Sequence, residues 1–135
     1  MTGEGARATA AEELALAHEE LAAADGLVAL RMYRIALTRV YFAVFHAMRA
    51  ALYATGLEPR THSGTSHLFN LHFVKSGRVP AEASRIAARL QKYREEADYS
   101  TSFVIDESGA REELAAARAL VLVIATRLAG DPTTP

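Results

Sequence analysis

The chain has 135 residues, half of them hydrophobic, a net charge of −1 and no cysteine. That length suits one domain with one core. The missing cysteines exclude disulfides and thiolate metal sites, a composition at home in a reducing cytoplasm. The sequence reads as having no apolar run near the roughly 20 residues of a membrane span. Met1 to Ala11 has no apolar signal core.

Thr9-Ala-Ala-Glu12 predicts a capping box that opens a first helix after a flexible tail over about residues 1–8. Leu14, Ala17, Leu21 and Ala24 form its apolar stripe, and Asp25-Gly26 ends it. A second helix is expected from Val28 to Thr55, with Gly56 as a left-handed stop. Its core stripe is Leu37, Tyr41, Val44, Met48 and Leu52. Thr61 or Ser63 caps a third helix carrying Leu68, Phe69, Phe73 and Val74, closed by Gly77. Pro80 suits the first turn of a fourth helix with Ile86, Leu90 and Ala97. Ser100 to Ser108 reads as a loop. Asp106 or Ser108 caps a fifth helix with Leu114, Val121, Ile124 and Leu128, and residues 130–135 form a second flexible tail. Nothing alternates with period two. The expected fold is therefore all-α, an antiparallel up-and-down bundle of four to five helices in one domain.

The near-neutral total hides an uneven distribution. Residues 1–26 hold one Arg and six acids, residues 27–94 eleven Lys or Arg and two acids, and residues 95–135 three Arg and eight acids. The middle segment is thus strongly basic. Two readings follow, and both can hold together: a polyanion-binding cleft that includes Arg39 and Arg49, or a basic centre paired with acidic terminal helices. Arg39 and His46 lie seven residues apart in this segment, almost two helical turns, so both leave one face of the second helix. A cation beside an imidazole is the minimal equipment for phosphodiester cleavage without a metal.

The strings Arg39-Val-Tyr-Phe-Ala-Val-Phe-His-Ala-Met-Arg-Ala-Ala-Leu52, Thr61-His-Ser-Gly64 with Phe69 and Phe73-Val-Lys-Ser-Gly77, and Arg94-Glu-Glu-Ala-Asp-Tyr99 resemble the HEPN family, the higher-eukaryote and prokaryote nucleotide-binding domain. The resemblance spans roughly residues 30–100. It implies a helical bundle, usually dimeric, and in many members an RNase of toxin–antitoxin or defence systems, encoded beside a minimal nucleotidyltransferase. The family signature is Arg, four to six residues, then His, which Arg39 and His46 satisfy. Val40 stands where many of its RNases carry a polar residue. Met48 stands where some members carry a tyrosine to which nucleotides are attached.

The chemistry fits those residue types. RNA supplies its own nucleophile, the 2′-hydroxyl, so the protein needs proton transfer and charge stabilisation. Histidine suits the first and arginine the second. One histidine serves poorly as both acid and base, which favours a two-fold homodimer with two Arg39/His46 pairs at one cleft. The alternatives are a hydrogen-bonded His46 on a half-buried face and an internal salt bridge for Arg39, with Asp98 as one candidate. Arg94 and Asp98 are spaced to pair along a helix, with Arg94 also able to reach phosphate. Tyr99 reads first as a buried anchor, then as a stacking surface or modification target. Tyr53 is a candidate for base stacking or for packing. His62 sits at a helix start beside two capping residues, and Lys75 extends the basic surface. No metal or cofactor is expected, since His62, His67 and His72 do not share one helical face and no phosphate-cradling glycine loop is present. The expected function is a cytoplasmic, metal-independent RNase, the toxin of a pair with a nucleotidyltransferase. A non-catalytic nucleotide- or substrate-binding subunit of that enzyme and a purely structural helical module remain as alternatives.

Overall fold

A computed structural model describes residues 3–129. Five helices carry the described residues: α1 Gly3–Ala29, α2 Tyr33–Ala54, α3 His62–Phe69, α4 Glu82–Tyr99 and α5 Glu107–Ala129. A π-helical turn, Asn70–Val74, continues α3. The described residues contain no strand, so the all-α expectation holds.

α2 is the hub, packed against α1, α3, α4 and α5. The reason is its composition. Leu37, Tyr41, Val44, Met48 and Leu52 form the buried stripe, and Ala36, Ala43, Ala47, Ala50 and Ala51 bury further faces while letting neighbours approach closely. α2 is long and apolar enough to cross a membrane by length and composition alone, contrary to the sequence reading. Two-thirds of that window is buried inside the bundle, as befits a core helix. Phe69 and Phe73 stack at 5.3 Å beneath it, with Phe69 wholly buried. Phe69→Ala should therefore cost about 3–5 kcal/mol, read as a lower urea midpoint with an unchanged slope.

The second helix ends as expected. Gly56 takes φ +84°, and Leu57 N–H reaches the Leu52 carbonyl while Gly56 N–H reaches Tyr53. The first helix does not end at Gly26. It runs three residues further and closes with the same bond pattern around Arg31, at φ 62°. Met32 N–H there donates to Leu27, and Arg31 N–H to Val28. A glycine inside a helix costs about 1 kcal/mol, and burial of Val28 against Ala36 and Ala110 favours the continuation. The start differs too. Thr9 lies within α1, which is already helical at Gly3 and buries Ala6, so residues 3–8 are not a tail. Residues 130–135, the other expected tail, lie outside the described residues.

Thr61 caps α3 by accepting from Gly64 N–H at 2.8 Å, and Asp106 caps α5 by accepting from Gly109 N–H at 2.8 Å. Pro80 stands two residues before α4 rather than in its first turn. Arg34 ties down the α4–α5 connection by donating to the carbonyls of Ala97, Ser100 and Phe103.

Candidate functional site

Arg39, Phe42, His46 and Arg49 project from neighbouring turns of α2. The Arg39 guanidinium lies over the Phe42 ring at 5.1 Å, and Phe42 and His46 have centroids 6.4 Å apart. Arg39 and His46 thus flank one phenyl ring, as their spacing predicts. α3 adds His62, which stacks on Phe45 at 4.2 Å with an interplanar angle of 13°. Its Nδ1 is 2.7 Å from the Tyr41 hydroxyl. α4 adds Arg94, whose guanidinium covers Tyr41 at 5.2 Å and Phe42 at 5.5 Å. Three guanidiniums and two imidazoles therefore surround the aromatic group Tyr41, Phe42 and Phe45.

Two carboxylates from α1 complete the cluster. Glu13 accepts from Arg49 Nε at 3.1 Å with one oxygen and lies 2.6 Å from His46 Nδ1 with the other. Glu20 receives Arg39, whose Nη1 is 2.9 and 3.0 Å from its two oxygens. Arg49 also donates to the Pro59 carbonyl and to the Tyr53 hydroxyl. The expectation of an open basic cleft built on Arg39 and Arg49 is corrected here. Both are paired with α1, because the acidic first helix packs along the basic second one. Arg39 pairs with Glu20 rather than with Asp98. Arg94 is held more loosely: Asp98 is 3.6 Å away, and the buried Arg94 Nε has no hydrogen-bond partner.

The remaining candidates divide. Tyr53 joins the cluster through Arg49, and its ring lies 5.3 Å beneath that guanidinium. Asp98 pairs with Arg94 as their spacing predicts. Tyr99 is 84% exposed at the end of α4, so it is not a buried anchor: its side chain falls on the outer face of the last turn. Lys75 is exposed at the end of the π turn, outside the cluster on α2. Among the described residues, no three His, Asp or Glu side chains gather as a metal site.

The surroundings shift two groups. His62 has its pKa lowered, first by burial of its ring face and then by the charges of Arg94, Arg49 and His46. Burial raises the Tyr41 phenol, Arg94 opposes that, and Glu95 adds to it. His62 should therefore titrate below the ordinary value of 6.5 and be neutral at pH 7. The unfolded chain then binds this proton at a higher pH than the folded one. The stability associated with neutral His62 is present above pH 6.5 and is lost as pH falls toward the folded-state value. An NMR titration of the His62 ring protons checks this, and a midpoint at or above 6.5 contradicts it.

The HEPN domain family model matches residues 11–127. A protein of Methanocaldococcus jannaschii named as a candidate toxin is 36% identical over 92 residues, which cover 68% of this chain and 69% of that one. A second candidate toxin of the same organism is 28% identical over 94 residues, 70% of this chain and 64% of its own length. A UPF0332 protein of Pyrococcus horikoshii is 39% identical over 66 residues, 49% of this chain and 46% of its own.

Proposed function

The chain belongs to the HEPN domain family, and from that premise we propose that it is a metal-independent endoribonuclease and the toxin of a two-gene module. The observation that carries this reading is the convergence of Arg39, His46, His62 and Arg94 on the Phe42 and Phe45 rings. Cleavage needs groups that move protons and a cation for the charge that develops on phosphate. His46 is the principal acid–base group, since Glu13 takes Nδ1 and orients Nε2 as the transferring nitrogen. Arg39 and Arg94 face the phosphate, Arg94 being the cation with the weaker internal partner. The names of the two Methanocaldococcus relatives support a toxin role. A nucleotidyltransferase antitoxin and a homodimer in the cytoplasm complete the proposal.

The test is cleavage of RNA in the presence of a chelator, compared with a strand carrying deoxyribose at the cut site. Cutting of the first and resistance of the second support attack by the 2′-hydroxyl. Activity that requires added metal contradicts it. A second reading is a non-catalytic subunit that binds nucleotide or substrate for a nucleotidyltransferase. It is favoured by the Glu20–Arg39 and Glu13–Arg49 pairs, which commit both cations within the chain. Under that reading the protein binds nucleotide or the partner enzyme and cuts no RNA.

A further inference from the structure

We propose that His62 is the second proton-transfer group of the RNase site and acts with His46 of the same chain. This rests on the endoribonuclease reading above. One imidazole serves poorly as both base and acid in a single displacement, and the structure places two against one ring. Phe45 stacks on His62 at 4.2 Å and meets His46 edge-on at 5.5 Å. Phe42 lies 6.1 Å from His62 and 6.4 Å from His46. Each imidazole has one nitrogen engaged by an orienting oxygen. Glu13 holds Nδ1 of His46, and Tyr41 holds Nδ1 of His62. Nε2 is thereby left as the working atom on both.

The environments divide the labour. Arg94 from α4 and Arg49 and His46 from α2 all face His62, and together with burial they favour its neutral form. Tyr41, whose hydroxyl meets His62 Nδ1, stays a phenol because burial raises it, with Arg94 opposing that and Glu95 adding to it. A neutral His62 that donates Nδ1–H to the Tyr41 oxygen keeps the Nε2 lone pair for a proton. His46 has the Glu13 carboxylate 2.6 Å from Nδ1, which fixes the ring and leaves Nε2 to hand over a proton. His62 is accordingly the base and His46 the acid.

In the step, His62 Nε2 takes the 2′-hydroxyl proton and the 2′-oxygen forms a bond to phosphorus. The bond from phosphorus to the 5′-oxygen breaks, and that oxygen leaves with a proton from His46 Nε2. The products are a 2′,3′-cyclic phosphate and a 5′-hydroxyl. Charge and protons balance, and exchange with water returns both imidazoles to their starting states. A two-fold partner is then not needed to supply the second imidazole.

The experiment measures kcat/KM against pH on a fluorophore-labelled mixed-sequence RNA. It compares wild type, His46→Ala, His62→Ala and His62→Gln, with exposed His72→Ala as a surface control. Glutamine keeps an N–H donor for the Tyr41 oxygen but moves no proton. Both His62 variants should fall by about 10²–10⁴-fold with helicity unchanged. The wild-type acidic limb, set by protonation of His62 below pH 6.5, should vanish from their residual activity. Added imidazole should restore part of the rate to His62→Ala, and His72→Ala should match wild type. A folded His62→Gln that keeps the wild-type rate and acidic limb, while His46→Ala is inactive, overturns this inference and leaves the RNase reading standing. Loss of rate in both His62 variants with the acidic limb in place also overturns it, since that is the mark of a structural residue. If wild type itself cuts no RNA, the RNase reading falls and His62 falls with it.

Discussion

His46→Ala is expected to lower RNA cleavage by about 10²–10⁴-fold, the usual contribution of a positioned acid–base group. The change should leave the fold intact. His46 is partly exposed, with 22% of its side-chain surface accessible, and its one ionic partner keeps a second cation. Glu13 still accepts from Arg49 after the imidazole is gone, so no carboxylate is stranded. Substrate binding should suffer less than turnover, because Arg39 and Arg94 remain. KM close to wild type with a collapsed kcat is the expected pattern in steady-state kinetics, beside unchanged helical circular dichroism. An unfolded variant would place His46 in the packing of α1 against α2 instead.

Arg39→Ala should cost roughly 10²–10³-fold, the loss seen when one preformed donor to a developing oxyanion is removed. Here the internal pair complicates the readout. The truncation leaves Glu20 half-buried without its arginine, and an uncompensated carboxylate destabilises a fold on its own account. Arg39→Ala combined with Glu20→Gln separates the two effects. The double variant should regain stability in urea denaturation but not activity. Recovery of cleavage in the double variant would show that Arg39 only neutralises Glu20. Glu20→Gln alone should raise the affinity for RNA, because it frees a guanidinium for phosphate.

Much of the fold was legible because the apolar stripes of α2, α4 and α5 follow the helical period closely. Leu37, Leu52, Leu90 and Val121 are all buried where their spacing puts them. Gly56 and Gly77 both take the positive φ expected of helix stops. Arg31 was not legible, since nothing marks a non-glycine residue that packing drives into the left-handed region. The π turn at Asn70–Val74 was equally silent in the pattern.

The site was half legible. Arg39, His46, Arg49, Tyr53, His62 and Arg94 come together, whereas Tyr99 and Lys75 stand apart. Glu13 and Glu20 were missed, although a signal for them exists. They are seven residues apart on α1, as His46 and Arg39 are on α2, and the pairs run in opposite order: Glu13 meets His46 and Glu20 meets Arg39. Antiparallel neighbouring helices bring equal spacings into register. The charge partition between the acidic first segment and the basic middle was the coarse form of the same fact. Tyr41, Phe42 and Phe45 were read as core or left unassigned. Only the tertiary arrangement shows that their rings carry the cations and His62, since that requires α3 and α4 to close over α2.

The decisive comparison is RNA cleavage by wild type and His46→Ala side by side, in chelator and with both proteins shown to be folded and free of any partner. Wild type should yield fragments ending in a 2′,3′-cyclic phosphate and the variant almost none. Equal cutting by the two proteins, or no cutting by wild type, would contradict it.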